Sequence, residues 1–583
     1  MCHAKRMMPA SAESHSDMVI ALEALKGSQA ALLDDVANAN RVFWLGSGIS
    51  WNQVPGLAEL IRRVLMYLKT EGGSRPGDIH AIALHAIIHG RFPENIQTAF
   101  DADPSAWVVP SAGELEPYVE KYAKILAQTV GNERTDYLLW NAVEVCRTYG
   151  APSIEPGENH LLIALLMHEG NLPHAVTTNW DGLIEAAYSS LAGSSSPTLG
   201  HVSVLMTQED FRANANSRAP RLYKIHGCAI RASESLEYRD YLVAQTLDIA
   251  TWGQDGDPHR RVFQMVTELM TDFRTLVFGL SFQDENLVRV HSHASKELPW
   301  AWDERAPAYV ISDKALQDGH KTILQSSYGI EYSSNRTAVE SASHIPMYSE
   351  PMLAALLLRT IGLKIQALAG RLDGLKEGTW LRGALFAAIE HRESDLARRI
   401  GDQSTTFISF QSRALSPLIR RYHGDADPAD GYTPIYYGPV SDALNDPHAS
   451  QNRTPEIAAM LALLNYLDLS GAWKVRIEST PARAGMVLLR GTDTSTIQMA
   501  LVKDDAAAIV ARKASEWRHP TGRMIIARLT GSSPNSAQRS PTGRMGSARR
   551  PGALTHEISL ADIWLRATNA EELRTVFSQK VTI

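Results

Sequence analysis

Arg41 to Leu45 (RVFWL) is a short β-forming run that ends without a break in Gly46-Ser47-Gly48-Ile49-Ser50. Through Val54-Pro55-Gly56 the chain then enters Leu57-AELIRRVLMYLK, where Leu57, Leu60, Ile61, Val64 and Leu65 share one helical face. Strand, glycine turn and helix in this order open an α/β unit. The same order serves phosphate binding, because glycines let backbone N–H groups approach an anion and a helix N-terminus favours negative charge. A G-x-G after a strand is more often only a tight turn, so this motif needs company before it means more.

Company follows downstream. Ala175-Val176 opens a strand that ends in Thr177-Thr178-Asn179-Trp180-Asp181, and Arg221-LYKI runs into His226-Gly227-Cys228. Thr275-LVFGL leads into Ser281-Phe282-Gln283-Asp284-Glu285-Asn286, and Ala308-YVIS ends at Ser312. Small and polar residues therefore gather where several strands end, the place where open parallel sheets bind ligands. Taken singly, Asn179 and Asp181 read as turn and capping residues, His226 as a turn histidine satisfied by backbone, and Ser281 and Asp284 as caps. Taken together, a glycine turn, an amide and a histidine at successive strand ends fit one active site better than unrelated turns. Residues 77–150 read as mainly helical, with HAIALHAIIHG and YVEKYAKILAQTV amphipathic, and Asn159 is placed to cap the helix His160-LLIALLMHEG.

At 583 residues the chain is too long for one compact unit. Its 44% hydrophobic and 21% charged residues are those of a globular protein, and a net charge of −7 argues against a nucleic-acid coat over the whole surface. Cys2, Cys146 and Cys228 are the only cysteines; they are widely spaced and too few for a disulfide framework or a four-cysteine zinc site. Lys5 and Arg6 are followed by Glu13, His15 and Asp17, where a secretory apolar region would stand. Apolar runs such as Leu161 to Met167 and Met352 to Leu358 fall short of the roughly 20 residues that cross a bilayer. A soluble cytoplasmic protein without membrane association is expected.

The second half carries no comparable motif. Residues 352–372 and 381–400 show helical patterns, and 425–446 is turn-rich with Tyr432, Tyr436 and Tyr437. From Trp473 onward KVRIES, GMVLLRG, TIQMALV and RMIIARL read as strands and DAAAIVARKASEW as a helix, giving a small α+β region. Between Glu516 and Glu557 stand Arg518, Arg523, Arg528, Arg539, Arg544, Arg549 and Arg550 with no acid, and Pro-Thr-Gly-Arg-Met occurs at 520 and again at 541. This stretch, with its loop at 529–552, reads either as a flexible basic arm for nucleic acid or an acidic partner, or as a solvated loop.

The strand-end motifs resemble those of the sirtuin (SIR2-like) family, and more closely the bacterial SIR2-like NADase domains of anti-phage defence proteins than the protein deacylases. The resemblance rests on Gly46-Ser47-Gly48-Ile49-Ser50, Thr177-Thr178-Asn179-Trp180-Asp181, Ile225-His226-Gly227, and Gly279-Leu280-Ser281 with Asp284 and Asn286. It implies a Rossmann-like parallel sheet with a helical small module over residues 41–345, the segment 77–150 being a helical insert. A helical extension at 1–40 precedes it, and a helical plus α+β region at 346–583 follows. It further implies NAD⁺ as substrate, with Asn179 and His226 catalytic. Asn179 would position the water or ribose at the scissile bond, and His226 would act as base. Backbone N–H groups of Gly46, Ser47, Gly48 and Ile49 would hold the pyrophosphate with Ser50 nearby, Asp181 would receive the nicotinamide carboxamide, Gly279 with Ser281 would contact the adenosine side, and Thr178, Asp284 and Asn286 would complete the cofactor-binding set.

N-glycosidic cleavage builds positive charge on the ribose, so such a site needs a held leaving group, a placed nucleophile and a base tuned near neutral pH, for which histidine is suited. Two departures from the deacylases matter. Pro55-Gly56-Leu57 continues into Ala58-Glu59-Leu60 where they carry Asp-Phe-Arg, and the cysteines for their structural zinc are missing, so no zinc is expected. Hydrolysis of NAD⁺ is therefore the expected reaction, ahead of protein deacylation or of non-enzymatic NAD⁺ or ADP-ribose sensing. The resemblance also implies a regulator: a protein partner such as a short Argonaute or a HerA-type ATPase, or a homo-oligomer. Nucleic acid would be met through the partner or the basic loop.

Overall fold

The computed structural model describes residues 17–72, 77–193, 201–297, 302, 308–400, 404–491, 496–516, 524–529 and 555–582. They form two compact units, one of residues 35–350 with 427–442 and the other built from the remainder.

The first unit is organised by a seven-stranded sheet: β1 (Arg41–Leu45), β2 (His174–Thr177), β3 (Ser203–Leu205), β4 (Arg221–Lys224), β5 (Arg274–Phe278), β6 (Ala308–Ile311) and β7 (His344–Ile345). The spatial order is β3-β4-β2-β1-β5-β6-β7 and every neighbouring pair is parallel. Helices such as Leu57–Gly72, Glu158–His168, Leu183–Ala192 and Arg260–Asp272 alternate with the strands. This is a Rossmann-like α/β fold. All five residues of β1 are buried, which explains its unbroken apolar run: a central strand covered on both faces has no solvent side to mark with polar residues. Its one charged member, Arg41, is neutralised by Asp35 at 2.7 Å and also donates to the Thr275 carbonyl at 3.0 Å.

From β1 the chain first lays down β2, the edge strand β3 and then β4 between them on one side, and returns to the other side of β1 with β5, β6 and β7. The reversal lies between β1 and β5, and in such sheets the crevice at the carboxyl ends of the strands on either side of it receives the ligand.

Between β1 and β2 the described residues form helices and no strand: Ile79–Arg91, Glu94–Ala102, Ala112–Leu115, Tyr122–Leu126 and Val145–Gly150 among them. Residues 427–442 also belong to this unit; Tyr432 donates to Glu169 Oε1 at 2.5 Å and the Gly438 N–H to the Glu169 carbonyl at 3.0 Å.

The second unit contains the helices Trp380–Ile400 and Thr454–Leu469 and a five-stranded sheet. Its strands are β8 (Lys474–Ile477), β9 (Val487–Arg490), β10 (Thr496–Leu501), β11 (Met524–Arg528) and β12 (Thr555–Ser559), in the order β12-β11-β10-β9-β8. β9 runs antiparallel to both neighbours, whereas β10, β11 and β12 are parallel. The α+β character expected from the sequence is present. Helix Ser349–Ala369 has the length and apolar composition to cross a membrane, but most of it is buried within the folded chain. Of the arginines in the basic stretch only Arg528 is described. It lies in β11, almost buried, and pairs with Asp505 at 2.6 Å, so it is a structural residue of the sheet; the others and the loop at 530–552 lie outside the described residues.

Candidate active site

Three glycines bring the ends of β1 and β5 together. The Gly46 N–H donates to the Phe278 carbonyl at 3.0 Å and the Gly48 N–H to the Gly279 carbonyl at 2.9 Å. A Cβ on Gly46 would stand 2.5 Å from the Gly279 oxygen, and one on Gly48 would stand 2.7 Å from the Gly279 Cα. Gly279 itself has φ +61°, the left-handed region that side chains disfavour. The glycine pattern of the sequence thus has a first cause in close backbone approach. Ile49 N–H is also used within the turn, by the Gly46 carbonyl at 3.1 Å, while Ser47 is exposed.

Ser50, at the end of that turn, is buried and ties the turn to β2. Asn179 Nδ2 donates to Ser50 Oγ at 3.0 Å, and Ser50 Oγ donates to Asp181 Oδ2 at 2.9 Å. His160 Nε2 lies 3.0 Å from the same hydroxyl. The direction of that last bond follows from the other side of the ring: Nδ1 accepts the Gly157 N–H at 3.1 Å, which leaves the proton of a neutral imidazole on Nε2. Burial lowers the His160 pKa against the opposing pull of Asp181 and Glu185, so the neutral form is the relevant one. Ser50 therefore accepts two bonds and donates one. Asp181 Oδ1 takes the Leu183 N–H at 3.1 Å, and the Asp181 carbonyl accepts from Lys224. Lys224 is fully buried, which disfavours its charge, but Cys228, Glu185 and Asp181 outweigh burial and raise its pKa; Glu185 Oε1 is 2.8 Å away.

The end of β4 supplies His226, buried at 4% exposure. Asn286, from the first turn of helix Glu285–Glu297 after β5, donates through Nδ2 to His226 Nε2 at 2.9 Å. Burial lowers the His226 pKa, Asp284 opposing and His259 adding to the effect, so the ring is neutral with Nε2 as its acceptor. Asp284 itself accepts from the Tyr122 hydroxyl at 3.1 Å, a contact from the helical segment.

Of the residues expected from the sequence, Ser50, Asn179 and Asp181 form one hydrogen-bonded group, His226 and Asn286 a second, and Gly46, Gly48 and Gly279 a third. Thr178 engages through its backbone, donating to the Leu45 carbonyl at 3.2 Å; Ser47, Ser281 and Asp284 have no hydrogen bond to these groups among the described residues. Sequence reasoning missed His160, Lys224 and Tyr122. Asn159, expected as a helix cap, sits inside a helix that begins at Glu158, and its Nδ2 donates to the Ile49 carbonyl at 3.3 Å.

The buried acceptors Asn179 Oδ1 and Asn286 Oδ1 and the buried donor Trp180 Nε1 have no partner among the described residues. Each unpaired buried polar atom costs about 1–3 kcal/mol, so a polar ligand that supplies the missing partners is favoured here. Next to the end of β5 opens a cavity of about 810 Å³, whose lining includes Glu120, Phe282, Gln283, Glu285, Asp318 and Thr322. Carboxylates and amides in such a wall suit hydroxyl donors, as on a ribose.

No curated protein matches the chain. Residues 173–333 match the family model of the SIR2-like domain, less than half of the chain but including β2 to β6 with Asn179, Asp181, His226, Gly279 and Asn286. The glycine turn lies before that stretch, and the bonds from Gly48 to Gly279 and from Ser50 to Asp181 join it to the same site. The chain carries a SIR2-like domain.

Proposed function

We propose that this chain is an NAD⁺ hydrolase that releases nicotinamide and ADP-ribose. The observation that supports the reading most is the convergence of Ser50, Asn179 and Asp181 with His226 and Asn286 at the ends of neighbouring strands, with buried amide oxygens left for a ligand. SIR2-like domains bind NAD⁺, and the unpaired acceptors fit a molecule rich in hydroxyl and carboxamide donors. NAD⁺ supplies a nicotinamide–ribose bond that water cleaves with release of one proton. Asn179, fixed at Nδ2 by Ser50, offers Oδ1 to orient a hydroxyl or the water. Asp181, held by Ser50 and the Leu183 N–H, presents its edge to the carboxamide. His226, kept neutral by burial, takes up the proton at Nε2 as the Asn286 amide gives up its hydrogen bond to that nitrogen. Because the Gly46, Gly48 and Ile49 N–H groups are used internally, contact with the pyrophosphate falls to Ser47 and its surroundings.

In the same reading the protein is a cytoplasmic, NAD-depleting effector of bacterial anti-phage defence. Uncontrolled consumption of NAD⁺ would harm its own cell, so the activity is switched on through the C-terminal unit, through a partner such as a short Argonaute or a HerA-type ATPase, or by self-association.

The test is to incubate the purified protein and candidate activators with NAD⁺ alone and with NAD⁺ plus an acetyl-lysine peptide, alongside Asn179→Ala and His226→Ala. Nicotinamide release without peptide, lost in both variants, is expected. Release that requires the peptide overturns hydrolysis in favour of deacylation, and NAD⁺ binding with no turnover under any activator favours a sensor.

A further inference from the structure

We propose that His85, His89 and Asp101, on the helical segment between β1 and β2, bind a divalent transition-metal ion, with Zn²⁺ as the first candidate. His85 and His89 are four residues apart on helix Ile79–Arg91 and so project from one face. Their rings stack with centroids 4.2 Å apart at an interplanar angle of 28°. Asp101 comes from the next helix, Glu94–Ala102, and its Oδ1 is 2.9 Å from His89 Nε2. One donor atom from each of the three residues lies within 4.8 Å of the others. Around Zn²⁺, with bonds of about 2.0–2.2 Å, tetrahedral donors stand about 3.3 Å apart, so metal binding requires these donors to draw together by at most about 1.5 Å.

The backbone under these side chains is already fixed. Leu84, Ile87, Ile88, Phe92 and Phe100 are buried between the helices, and Gln97 Nε2 donates to the Phe92 carbonyl at 2.6 Å across the turn. A hydrogen bond between His89 and Asp101 alone would be an ordinary surface pair worth little. His85 makes the difference. Stacked imidazoles on a surface repel one another once protonated and gain little in water when neutral, yet here each ring places a nitrogen within 4.8 Å of the other's and of an Asp101 oxygen. Two imidazoles and one carboxylate suit Zn²⁺, Co²⁺, Ni²⁺ or Cu²⁺ and disfavour Mg²⁺ and Ca²⁺, which prefer oxygen donors. His85 and Asp101 are exposed, so water completes the coordination. His80 on the same helix stays outside the set, since its ring is engaged by Asp78 and by Tyr137 at 3.1 Å. The site shares no residue with the strand-end group and does not depend on its proposed activity.

The experiment uses the full chain, free of any histidine tag and stripped with a chelator. Calorimetric titration with ZnCl₂, and titration with CoCl₂ followed by visible absorption, are compared for the wild type, His85→Ala, Asp101→Asn and the exposed control His448→Ala. One ion per chain is expected in wild type and control, at least tenfold weaker in His85→Ala and Asp101→Asn. A Zn²⁺-dependent rise in melting temperature is expected to disappear in the same two variants. Absence of stoichiometric binding in the wild type, or binding unchanged in His85→Ala and Asp101→Asn, overturns the site.

Discussion

The hydroxyl of Ser50 donates to the carboxylate of Asp181 at 2.9 Å across 131 residues of chain, and accepts from Asn179 and His160 as it does so. One small side chain therefore sets the positions of an amide and a carboxylate that both follow the end of β2. Replacing it by alanine strands three buried polar groups, each at a cost of about 1–3 kcal/mol. Ser50→Ala is expected to lower the rate of nicotinamide release by about ten- to a hundredfold, the equivalent of one such loss in the transition state. The rate is measured together with a thermal melt; an unchanged rate in a folded variant would show that Ser50 does not organise the site.

His160 acts through Ser50 and is therefore a positioning residue. Its Nε2–H reaches the hydroxyl only because Gly157 occupies Nδ1. Glutamine can place an N–H near the Nε2 position, whereas alanine cannot. His160→Ala is expected to reduce kcat about tenfold with less change in KM, and His160→Gln to recover most of it. Equal loss in both variants would mean that the ring is needed for packing alone.

The reach of sequence reasoning follows from these distances. β1, β2, β4, β5 and β6 are legible because buried parallel strands carry continuous apolar runs. β3 and β7 have three and two residues, too few to show any period, and β12 (THEIS) alternates polar residues that resemble a loop. Asn179, Asp181 and His226 are legible because each directly follows a strand. His160 sits 110 residues from Ser50, and Tyr122 sits 162 from Asp284. Nothing local distinguishes either from a core histidine or a helix-face tyrosine; only the folded neighbourhood does.

Asn286 touches the His226 ring at the nitrogen that would accept the proton. Exchange for the isosteric acid puts a carboxylate there, which favours the imidazolium. The wild-type acid limb of the pH–rate profile is expected below the ordinary histidine value of about 6.5, because burial lowers the His226 pKa. In Asn286→Asp the limb is expected to move up, reducing activity at pH 7 but less so at pH 8.5. A limb that stays in place would remove His226 as the titrating base.

Gly279 faces Gly48 and Ile49 with no room for a methyl group: its Cβ would meet Ile49 N at 2.7 Å, at φ +61°. Strain in the left-handed region adds about 1–2 kcal/mol and overpacking about 1–3 kcal/mol. Gly279→Ala is expected to lower the melting temperature of the first unit measurably and to impair NAD⁺ binding by parting the β1 and β5 turns. Gly56→Ala is the matched control, since a Cβ there meets only the Trp51 ring at 3.9 Å. Calorimetric melting of the two variants should separate clearly; similar curves would show that the turns have room to part.

Buried histidines make the first unit sensitive to acid. Burial pushes His168 and His174 down to about 4 and His291 to about 3, with Arg221 contributing at His174. In the unfolded chain these rings titrate near 6.5, so between that pH and about 4 the unfolded state binds more protons and stability falls as pH is lowered. Glu393 in the second unit, raised by burial to about 7, works in the opposite sense between pH 7 and about 4.5, but it lies outside the first unit, where these histidines sit. His291 gives the cleanest handle. It is packed against Trp44 and Phe282, and neither ring nitrogen has a partner among the described residues. Phenylalanine keeps the ring and removes both the orphaned nitrogens and the titration. His291→Phe is expected to melt higher than wild type at pH 7, by an amount that grows as pH falls from 6.5 towards 4. A difference in melting temperature that stays constant across that range would show that His291 does not contribute to the acid sensitivity.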